Sequence, residues 1–489
     1  MAIDSKHPKY TEFLPDWEQM QDTYRGERAV KEAGIKYLSA TSGMNADGMG
    51  NAEKGGLAYA AYKMRAVFHE FVSEAVEAAI GIMHHKPPTI ELPESMEFLR
   101  EQATNNGEGL IHLLRRINEN QLVSGRLGIL CDLPSEQTVE PQPYIALYTA
   151  PTIINWDAGS GDDISLHNLN LVVLDESDNE RGAQFEWSFA NSYRVLVLGD
   201  TSINEAKGKA VYKVGVFKKG QTFSETLMKE PSIRGSKLEE IPFVFINGKD
   251  NIADPDDPPL LGLSSLALAI YRGEADYRHT LFMQGQDTLV IVGGDVEGVE
   301  VRVGANSVLR LPQIGSTAEY IGVSSDGLSE QRSSLENDKL LAASKAGQFI
   351  KTTGKSVESG EALSIRLTAE TATLNQIAIS GAQGLQLALR IIARWMSADP
   401  EKVKVIPNLD FANKELESRT LVEFMTAKTL GAPLSLESIH ELMQKRGLTK
   451  LTFEEEMQRI NEEEPIPTGI EDEEDEEDEE DEEDEEDGA

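Results

Sequence analysis

An α+β fold is the class that this sequence predicts. Helical periodicity dominates up to about residue 123, and short segments that alternate apolar and polar residues follow between Arg126 and Ile246. Two more helix-like segments then flank a Gly/Val-rich β-like segment, and a proline-free stretch from Glu361 to Ala398 comes after them. Helices that precede an antiparallel sheet are typical of the α+β class.

Composition sets the scale of the protein. The chain has 489 residues, which at roughly 100–200 residues per domain favours about three lobes. The formal net charge is −38, and Glu471 to Asp487 is an unbroken run of 17 carboxylates. Such a run repels itself and buries no apolar area, so we expect it to be disordered. It serves either solubility alone, or the repulsion of DNA or the binding of basic partners.

The single cysteine and the N-terminus bear on the compartment. Cys131 excludes an intrachain disulfide, which fits a reducing cytoplasm, and we expect it to be a small buried apolar residue. The N-terminus has no apolar segment typical of a secretory signal. No run of about 18 apolar residues occurs, so the sequence predicts no transmembrane helix.

The first predicted elements are helical. One or two short helices are expected before a Gly/Asn/Asp-rich loop, Thr41 to Gly56. A clear helix is predicted over Leu57 to Ile80, and a second over Glu108 to Val123. The apolar positions that recur at helical spacing in the clear helix are Leu57, Ala61, Met64, Phe68, Phe71, Val72, Val76 and Ile80.

Strands are predicted next, from alternating or β-branched segments that turn residues separate. The segments are RLGILCDL, PYIALYTAPTIINW, NLNLVVLDES, QFEWSFANSYRVLVL, AVYKVGVFKKG and IPFVFINGKD. The breaker-rich segment Asn251 to Pro259 then predicts a loop. A further short strand is predicted over Lys404 to Leu409.

The region after residue 259 has an unusual order of elements. A helix is predicted over Leu260 to Gln284, a β segment over Thr288 to Leu311 and a helix over Gly327 to Ile350. The long helix that follows holds Gly381 and Gly384 near its middle, and each costs about 1 kcal/mol there relative to alanine. A kink, or a close approach between neighbouring elements, would explain them.

The C-terminal segments carry helix signals. A helix is predicted to end near Gly431. Ser435 is the expected N-cap of another, with Gly447 just beyond its end. Thr452 and Glu455 have the spacing of a capping box.

The loop Gly347 to Gly360 contains the candidate binding residues. They are Lys351, Thr352, Thr353, Gly354 and Lys355. A nucleotide-binding P-loop needs two glycines five positions apart, but the glycine before Gly354 is Gly347, so an ATP site is disfavoured. Glycines, hydroxyls and two lysines suit a mobile loop that faces a polyanion. An ordinary solvated loop has the same composition.

Other chemistry has little support in the sequence. His84 and His85 adjoin a helix end, but no set of residues has zinc-ligand spacing. Asp254, Asp256 and Asp257 lack the other ligands of a calcium loop, so we read them as a turn. No catalytic signature is present. We therefore expect no catalytic residue, no metal, no cofactor and no enzymatic activity.

Several stretches together resemble the portal (head–tail connector) proteins of tailed bacteriophages, in particular a branch described only as a domain of unknown function. The stretches are AYKMRAVFHEFVSEAVEAAIGIMHHKPPTIELP, GRLGILCDLP, PYIALYTAPTIINW, PPLLGLSSLALAIYRGEADYRHTLF and SGEALSIRLTAETATLNQIA. The resemblance covers residues 10 to 396 and leaves out the acidic run.

The resemblance implies a ring subunit with named regions. They are a wing (1–259), a first stem helix (260–285), a clip (286–325), a second stem helix (326–346), a tunnel loop (347–360), a long kinked helix with a return to the wing (361–412), a small helical crown (413–464) and an acidic tail (465–489). Gly381 and Gly384 would mark the kink. The lysines of the tunnel loop would face DNA.

The implied function is that of a conduit for double-stranded DNA. A homo-dodecamer would lie at one vertex of the virion capsid, after assembly in the host cytoplasm, and would bind DNA without sequence preference. Its partners would be the terminase large subunit, the head–tail adaptor, and the major capsid and scaffolding proteins, with no membrane. The alternatives are another structural head protein, such as an adaptor or minor capsid protein, or an acidic-tailed enzyme or chaperone.

Overall fold

The computed structural model describes most of the chain up to residue 409 and short segments beyond it. The ranges are 3–134, 142–158, 169–183, 185–199, 211–233, 236–285, 288–292, 317–321, 327–347, 360–409, 435–445 and 451–462, with a few single positions between them. Two separate units are present, Met1–Phe411 and Ala412–Ala489.

The N-terminal part of the first unit is helical. Its helices are α1 (Pro8–Arg25), α2 (Glu27–Ala33), α3 (Ser42–Ala46), α4 (Lys54–Arg65), α5 (Phe71–Met83) and α6 (Leu110–Ser124). Helix α6 ends in a left-handed glycine, Gly125 (φ 68°), where a side chain would lie 2.9 Å from the carbonyl oxygens of Asp256 and Asp257. The predicted second helix is thus confirmed within two residues.

The single helix predicted over Leu57 to Ile80 is wrong, because two helices occupy this region. Ala66 ends α4 in an extended conformation (φ −60°, ψ 143°) and is itself buried. The break lets α4 pack on one side of a later helix while α5 packs between that helix and α6. The loop predicted over Thr41 to Gly56 is also partly wrong, since it contains α3 and the first turn of α4.

The inward face of α4 also differs from the prediction. Tyr59 and Tyr62 are buried, whereas Leu57 and Met64 are exposed. The Tyr59 hydroxyl donates to the Leu38 carbonyl oxygen at 2.8 Å, so burial leaves its polar end satisfied. Two apolar stripes compete on this helix, and the one that carries hydrogen-bonding tyrosines faces the core.

Antiparallel sheets follow the helices, as predicted. The strands are β1 (Thr89–Glu91), β2 (Arg126–Asp132), β3 (Tyr144–Thr149), β4 (Ile153–Ala158), β5 (Leu169–Asp175), β6 (Asp178–Arg181), β7 (Trp187–Ala190), β8 (Ser192–Leu198), β9 (Tyr212–Lys218), β10 (Ser232–Ile233), β11 (Ser236–Lys237), β12 (Phe243–Asn247), β13 (Thr288–Val292), β14 (Thr317–Ile321) and β15 (Lys404–Ile406). One sheet has the order β12-β2-β3, and a larger one has the order β4-β5-β8-β9.

Three long helices complete the first unit. They are α7 (Leu261–Gln284), α8 (Leu328–Gly347) and α9 (Gly360–Trp395). The C-terminal half of α9 packs with α6 and the β12-β2-β3 sheet in one core, and α1 packs with the larger sheet in another. Cys131 is buried in the first of these cores, and burial raises the pKa of its thiol, as expected for a structural cysteine.

The second unit contains two described helices, α10 (Leu436–Lys445) and α11 (Phe453–Glu462). The Ser435 hydroxyl accepts a hydrogen bond from the Ser438 backbone N–H at 3.0 Å, which confirms the predicted N-cap. Thr452 and Glu455 exchange the two hydrogen bonds of a capping box, at 2.9 and 3.3 Å. The helix predicted to end near Gly431 lies largely outside the described residues. Gly447 and the acidic run lie wholly outside them.

Candidate functional site

Helices α7 and α8 form an antiparallel pair with β13 and β14 between them in the chain. Near the middle of the pair, Leu335 of α8 lies against Gly273 of α7, where a side chain would come within 2.7 Å of it. Glycine therefore allows the two helices to approach closely. The helices predicted over Leu260 to Gln284 and Gly327 to Ile350 are observed as Leu261–Gln284 and Leu328–Gly347, and residues 348–350 lie outside the described residues.

A buried carboxylate joins the two helices. The side chain of Glu274 on α7 is only 4% exposed, and it accepts hydrogen bonds from Arg278, at 2.6 Å, and from Lys339 of α8. Burial alone would raise the pKa of Glu274, but the hydrogen bonds from Lys339 and Arg278 outweigh it and hold the pKa below its ordinary value of 4.5. The carboxylate is thus ionised at neutral pH and bridges the pair.

We expect a Glu274→Gln variant to lose about 1–3 kcal/mol of stability at pH 7, because the partly exposed Arg278 and Lys339 lose their charged hydrogen-bond acceptor. The stabilisation from a lowered carboxyl pKa is present above pH 4.5 and disappears as the pH falls through the folded-state pKa. The difference in urea unfolding between the wild type and the variant should therefore shrink below pH 4.5.

The matched control lies on α8. Arg332 and Glu336 form an exposed pair at 2.8 Å, so Glu336→Gln should change stability by only about 0–0.5 kcal/mol. Equal losses for Glu274→Gln and Glu336→Gln would contradict the structural role of the Glu274 bridge.

The tip of the helix pair is a two-stranded antiparallel ribbon. Thr288 pairs with Ile321, and Val292 pairs with Thr317. Residues 293–311 of the predicted β segment lie outside the described residues. A ribbon of two strands is marginal by itself, and in the chain it lies between the end of α7 and the start of α8.

The long helix α9 runs without interruption through both of its central glycines. A side chain at Gly381 would lie 2.5 Å from Asn118 Nδ2 of α6, and one at Gly384 would lie 2.4 Å from Ile246 Cγ1 of β12. Both positions therefore need glycine because the helix touches its neighbours there. The kink at these residues stays a prediction.

Buried polar side chains surround these two glycines. Asn247, at the end of β12, donates to the carbonyl oxygens of Ile252 and Asp254 at 3.0 and 2.7 Å. Its backbone carbonyl oxygen accepts hydrogen bonds from Gln121 Nε2 at 2.6 Å and from the Ser380 hydroxyl at 2.8 Å. Asn247 therefore joins β12 and the following loop to both α6 and α9.

Asn251 strengthens the same junction. Its Nδ2 atom donates to the carbonyl oxygens of Phe245, at 3.3 Å, and Ser380, at 3.2 Å. Sequence reasoning missed this network. Its signal was Asn247 at the end of an otherwise apolar strand and Asn251 at the start of a breaker-rich segment, which is also the composition of an ordinary turn.

The residues predicted for DNA contact, Lys351 to Lys355, lie outside the described residues, together with the rest of the loop between α8 and α9. The structure describes only the two helices that border this loop. The predicted DNA-facing role of its lysines thus stays a prediction.

A buried arginine is a second feature that sequence reasoning missed. Arg126 is fully buried, and its guanidinium stacks over the rings of Trp156 and Phe245 at 4.1 and 4.3 Å. Burial lowers its pKa to about 9, against the opposing influence of Asp254. None of its side-chain nitrogens has a hydrogen-bond partner among the described residues. Arg126 belongs to the core of the first unit.

Within the described ranges, no group of three or more His, Cys, Asp or Glu side chains is placed to hold a metal ion. His84 faces Asn118 Oδ1 at 2.9 Å, and Asp254 pairs with Lys9 at 2.7 Å. Among the helices that the structure describes, none combines the length and apolarity needed to span a bilayer.

Comparison with known proteins adds one family match and two structural likenesses. Residues 259–396, from the loop before α7 to the end of α9, match a family described as a domain of unknown function (DUF4055). The chain is similar to a subunit in the neck of an empty GTA particle computed with C6 symmetry, at 16% identity and a TM-score of 0.37, over 80% of this chain and 91% of that one.

A second solved structure, the neck of a native GTA particle computed with C12 symmetry, gives 14% identity and a TM-score of 0.33, over 76% of this chain and 89% of that one. No curated protein matches the chain.

Proposed function

We propose that this chain is a portal protein, the subunit of a ring at one capsid vertex through which double-stranded DNA enters and leaves. The observation that carries the proposal is the order of α7, the β13–β14 ribbon, α8 and α9. An antiparallel helix pair that presents a β tip, followed by a loop and a 36-residue helix packed on the wing, is the arrangement that the sequence resemblance implies.

In this proposal the helix pair is a rigid stem. The Glu274 bridge and the close contact at Gly273 resist sliding of α7 against α8. The β13–β14 ribbon then serves as the clip, which docks the terminase large subunit during packaging and the head–tail adaptor afterwards. ATP hydrolysis belongs to the terminase, and the ring itself is not an enzyme.

The long helix α9 is the second mechanical part. At about 1.5 Å per residue it spans roughly 54 Å. Its C-terminal half is fixed to α6 and β12 at the two glycines. Its N-terminal half comes directly after the loop that carries Lys351 and Lys355. Ring symmetry would turn this loop into a cationic collar around the DNA backbone.

Weak contacts suit a conduit better than strong ones. Tight DNA binding requires many lysine or arginine contacts with phosphates. This chain is strongly acidic overall, so a collar of two lysines per subunit would hold DNA loosely and let it slide.

We propose a homo-dodecamer in the virion, with the major capsid and scaffolding proteins as further partners during assembly in the host cytoplasm.

Electron microscopy of the purified full-length protein tests the proposal. Rings with a central channel are expected, with the loop between α8 and α9 directed at the channel axis. Monomers alone, over a range of salt concentrations and with a terminase or adaptor present, would overturn it. So would a ring in which that loop faces the outer rim.

A double variant, Lys351→Ala with Lys355→Ala, tests the collar. We expect rings to form normally and the assembled particles to retain less nuclease-protected DNA, because two phosphate contacts per subunit are lost. Lys219→Ala with Lys229→Ala is the matched control, since both lysines lie exposed on the wing. Equal DNA retention in the collar and control variants would contradict the role of the collar.

A further inference from the structure

The last turn of α4 is joined to α7 by two polar contacts. The Tyr62 hydroxyl donates to Asp276 Oδ1 at 2.5 Å, and Arg65 Nη2 lies 3.2 Å from His279 Nδ1. Tyr62 is buried, whereas Arg65 and His279 are half-buried. Asp276 and His279 are three positions apart, so they lie on one face of α7 and meet α4 together. We call these four side chains the α4–α7 latch.

The chemistry of arginine fixes the protonation state of His279 in this contact. A guanidinium has only hydrogen-bond donors, so His279 Nδ1 must be the acceptor and the ring proton must be on Nε2. An imidazolium has a proton on both nitrogens and accepts no hydrogen bond. It would also place a second cation against Arg65. The contact between Arg65 and His279 therefore requires a neutral histidine.

The surroundings of the ring favour the same neutral state. The His279 ring meets the Tyr62 ring edge to face, with centroids 5.3 Å apart, and Arg65 Cζ lies 4.0 Å from the centre of the Phe282 ring. Burial, and then the charge of Arg65, lower the pKa of His279 from its ordinary 6.5, against the opposing influence of Asp276. The stabilisation from neutral His279 is therefore present above pH 6.5 and disappears as the pH falls through the folded-state pKa.

Other charged side chains near this part of α7 have partners of their own. Arg278 bonds to Glu274 at 2.6 Å, and Arg332 of α8 pairs with Glu336 at 2.8 Å. Helices α1 and α5 pack with the first half of α7. The charges that act on His279 are thus the arginine and the aspartate of the latch itself.

A single proton on His279 would weaken both contacts of the latch. The imidazolium repels Arg65 and attracts Asp276, which lies one turn earlier on the same helix. Asp276 is also the acceptor for the Tyr62 hydroxyl, so this attraction competes with the second contact. Arg65 Nε has no hydrogen-bond partner in the described part of the chain, and Arg65 therefore gains nothing there that would hold it in place.

We propose that the α4–α7 latch is a pH-sensitive switch, which is closed at neutral pH and opens when His279 takes up a proton. Opening releases the last turn of α4 from α7, the helix proposed as the first stem helix. The extended residue Ala66 directly follows this turn, so α4 can loosen without pulling α5 along. The switch is a property of one subunit, and it stands or falls independently of the ring function.

Hydrogen exchange in the full-length protein tests the switch. The protection factor divides the exchange rate of an unfolded peptide by the observed rate, so the intrinsic effect of pH cancels. It is compared for the last turn of α4 at about pH 8 and about pH 5, on either side of the ordinary histidine pKa. We expect protection in the wild type to fall by about threefold or more at the lower pH, as one hydrogen bond is lost.

Two variants separate the switch from a purely structural role. In His279→Gln, a side-chain oxygen can still accept from Arg65 but takes up no proton, so protection should be equal at both pH values. Arg65→Met removes the second cation and keeps an apolar contact with Phe282, so its protection should also become independent of pH. His112→Gln, at an exposed position on α6, is the matched control and should behave as the wild type does.

The same measurements define failure. A wild type without the fall in protection, or an equal fall in His279→Gln and Arg65→Met, would overturn the proposal. Ring-nitrogen NMR of labelled histidine gives an independent readout, with the His279 signal assigned by its absence in His279→Gln. We expect the tautomer with the proton on Nε2 at neutral pH. A proton on Nδ1 there would be incompatible with the Arg65 contact and would also overturn the switch.

Discussion

An Asn247→Leu variant is expected to be less stable than the wild-type protein by about 3 kcal/mol or more. Leucine matches asparagine in size but donates no hydrogen bond. The change would leave the partly buried carbonyl oxygens of Ile252 and Asp254 without the donor that satisfies them, and each unsatisfied group of this kind costs about 1–3 kcal/mol. The shift in the midpoint of urea unfolding measures the loss.

The matched control is Asn120→Leu on α6. Asn120 also donates from Nδ2 to a backbone carbonyl oxygen, that of Arg116 at 2.8 Å, but this hydrogen bond is exposed to solvent. Water replaces the lost hydrogen bond there, so we expect a change within about 0.5 kcal/mol. If the two leucine variants unfold together, the Asn247 side chain does not hold the loop that follows β12.

A Gly384→Val variant should lose about 2–3 kcal/mol, because even its first side-chain carbon would lie 2.4 Å from Ile246 Cγ1 and 2.8 Å from Asn251 Nδ2. Ile246 is fully buried and cannot move aside freely, and overpacking a close-packed core typically costs about 1–3 kcal/mol. The better helix propensity of valine offsets only a fraction of this. Calorimetry on the full chain provides the comparison of melting temperatures.

Gly262→Val isolates the packing effect. Gly262 lies in the first turn of α7 with nothing within 4 Å of where a side chain would begin. Its replacement should leave the melting temperature unchanged or raise it slightly. A Gly384→Val protein as stable as the Gly262→Val protein would rule out the close approach of α9 to β12.

Sequence patterns were sufficient for elements that depend on local signals. The helices α6, α7 and α8 and the strands around Cys131 follow from periodicity, and the N-cap at Ser435 and the capping box at Thr452 follow from residue spacing. In each case the deciding interactions join residues close together in the chain, so they are visible in the sequence.

Patterns failed where tertiary contacts decided between equivalent choices. Helix α4 has two apolar stripes, and periodicity selected Leu57 and Met64 for the core. The structure buries Tyr59 and Tyr62 instead, because their hydroxyls reach acceptors on other elements, the Leu38 carbonyl oxygen and Asp276 of α7. The helix break at Ala66 follows from the same competition between two apolar faces, and no glycine or proline in the sequence predicts it.

The candidate site shows the same division. Glycine in a long helix predicted a special contact at Gly381 and Gly384, and the structure supplies its chemistry in the side chains of Asn118, Ile246 and Asn251. The Glu274 bridge could not be predicted from the sequence. Arg278 lies on the same helix as Glu274, but many other glutamates also have a basic residue four positions away. Lys339 lies on a different helix, so its pairing with Glu274 depends on the fold. Pairing across elements depends on the fold.

The lone cysteine has a practical use as a reporter. Cys131 Sγ lies 3.4 Å from the Ala388 carbonyl oxygen, at the seam between the β12-β2-β3 sheet and the long helix α9. Burial keeps the thiol protonated and away from solvent. A thiol-selective dye therefore reacts with it only when that seam opens. The rate of labelling in the unmodified chain therefore times the detachment of the helix, with no engineered probe.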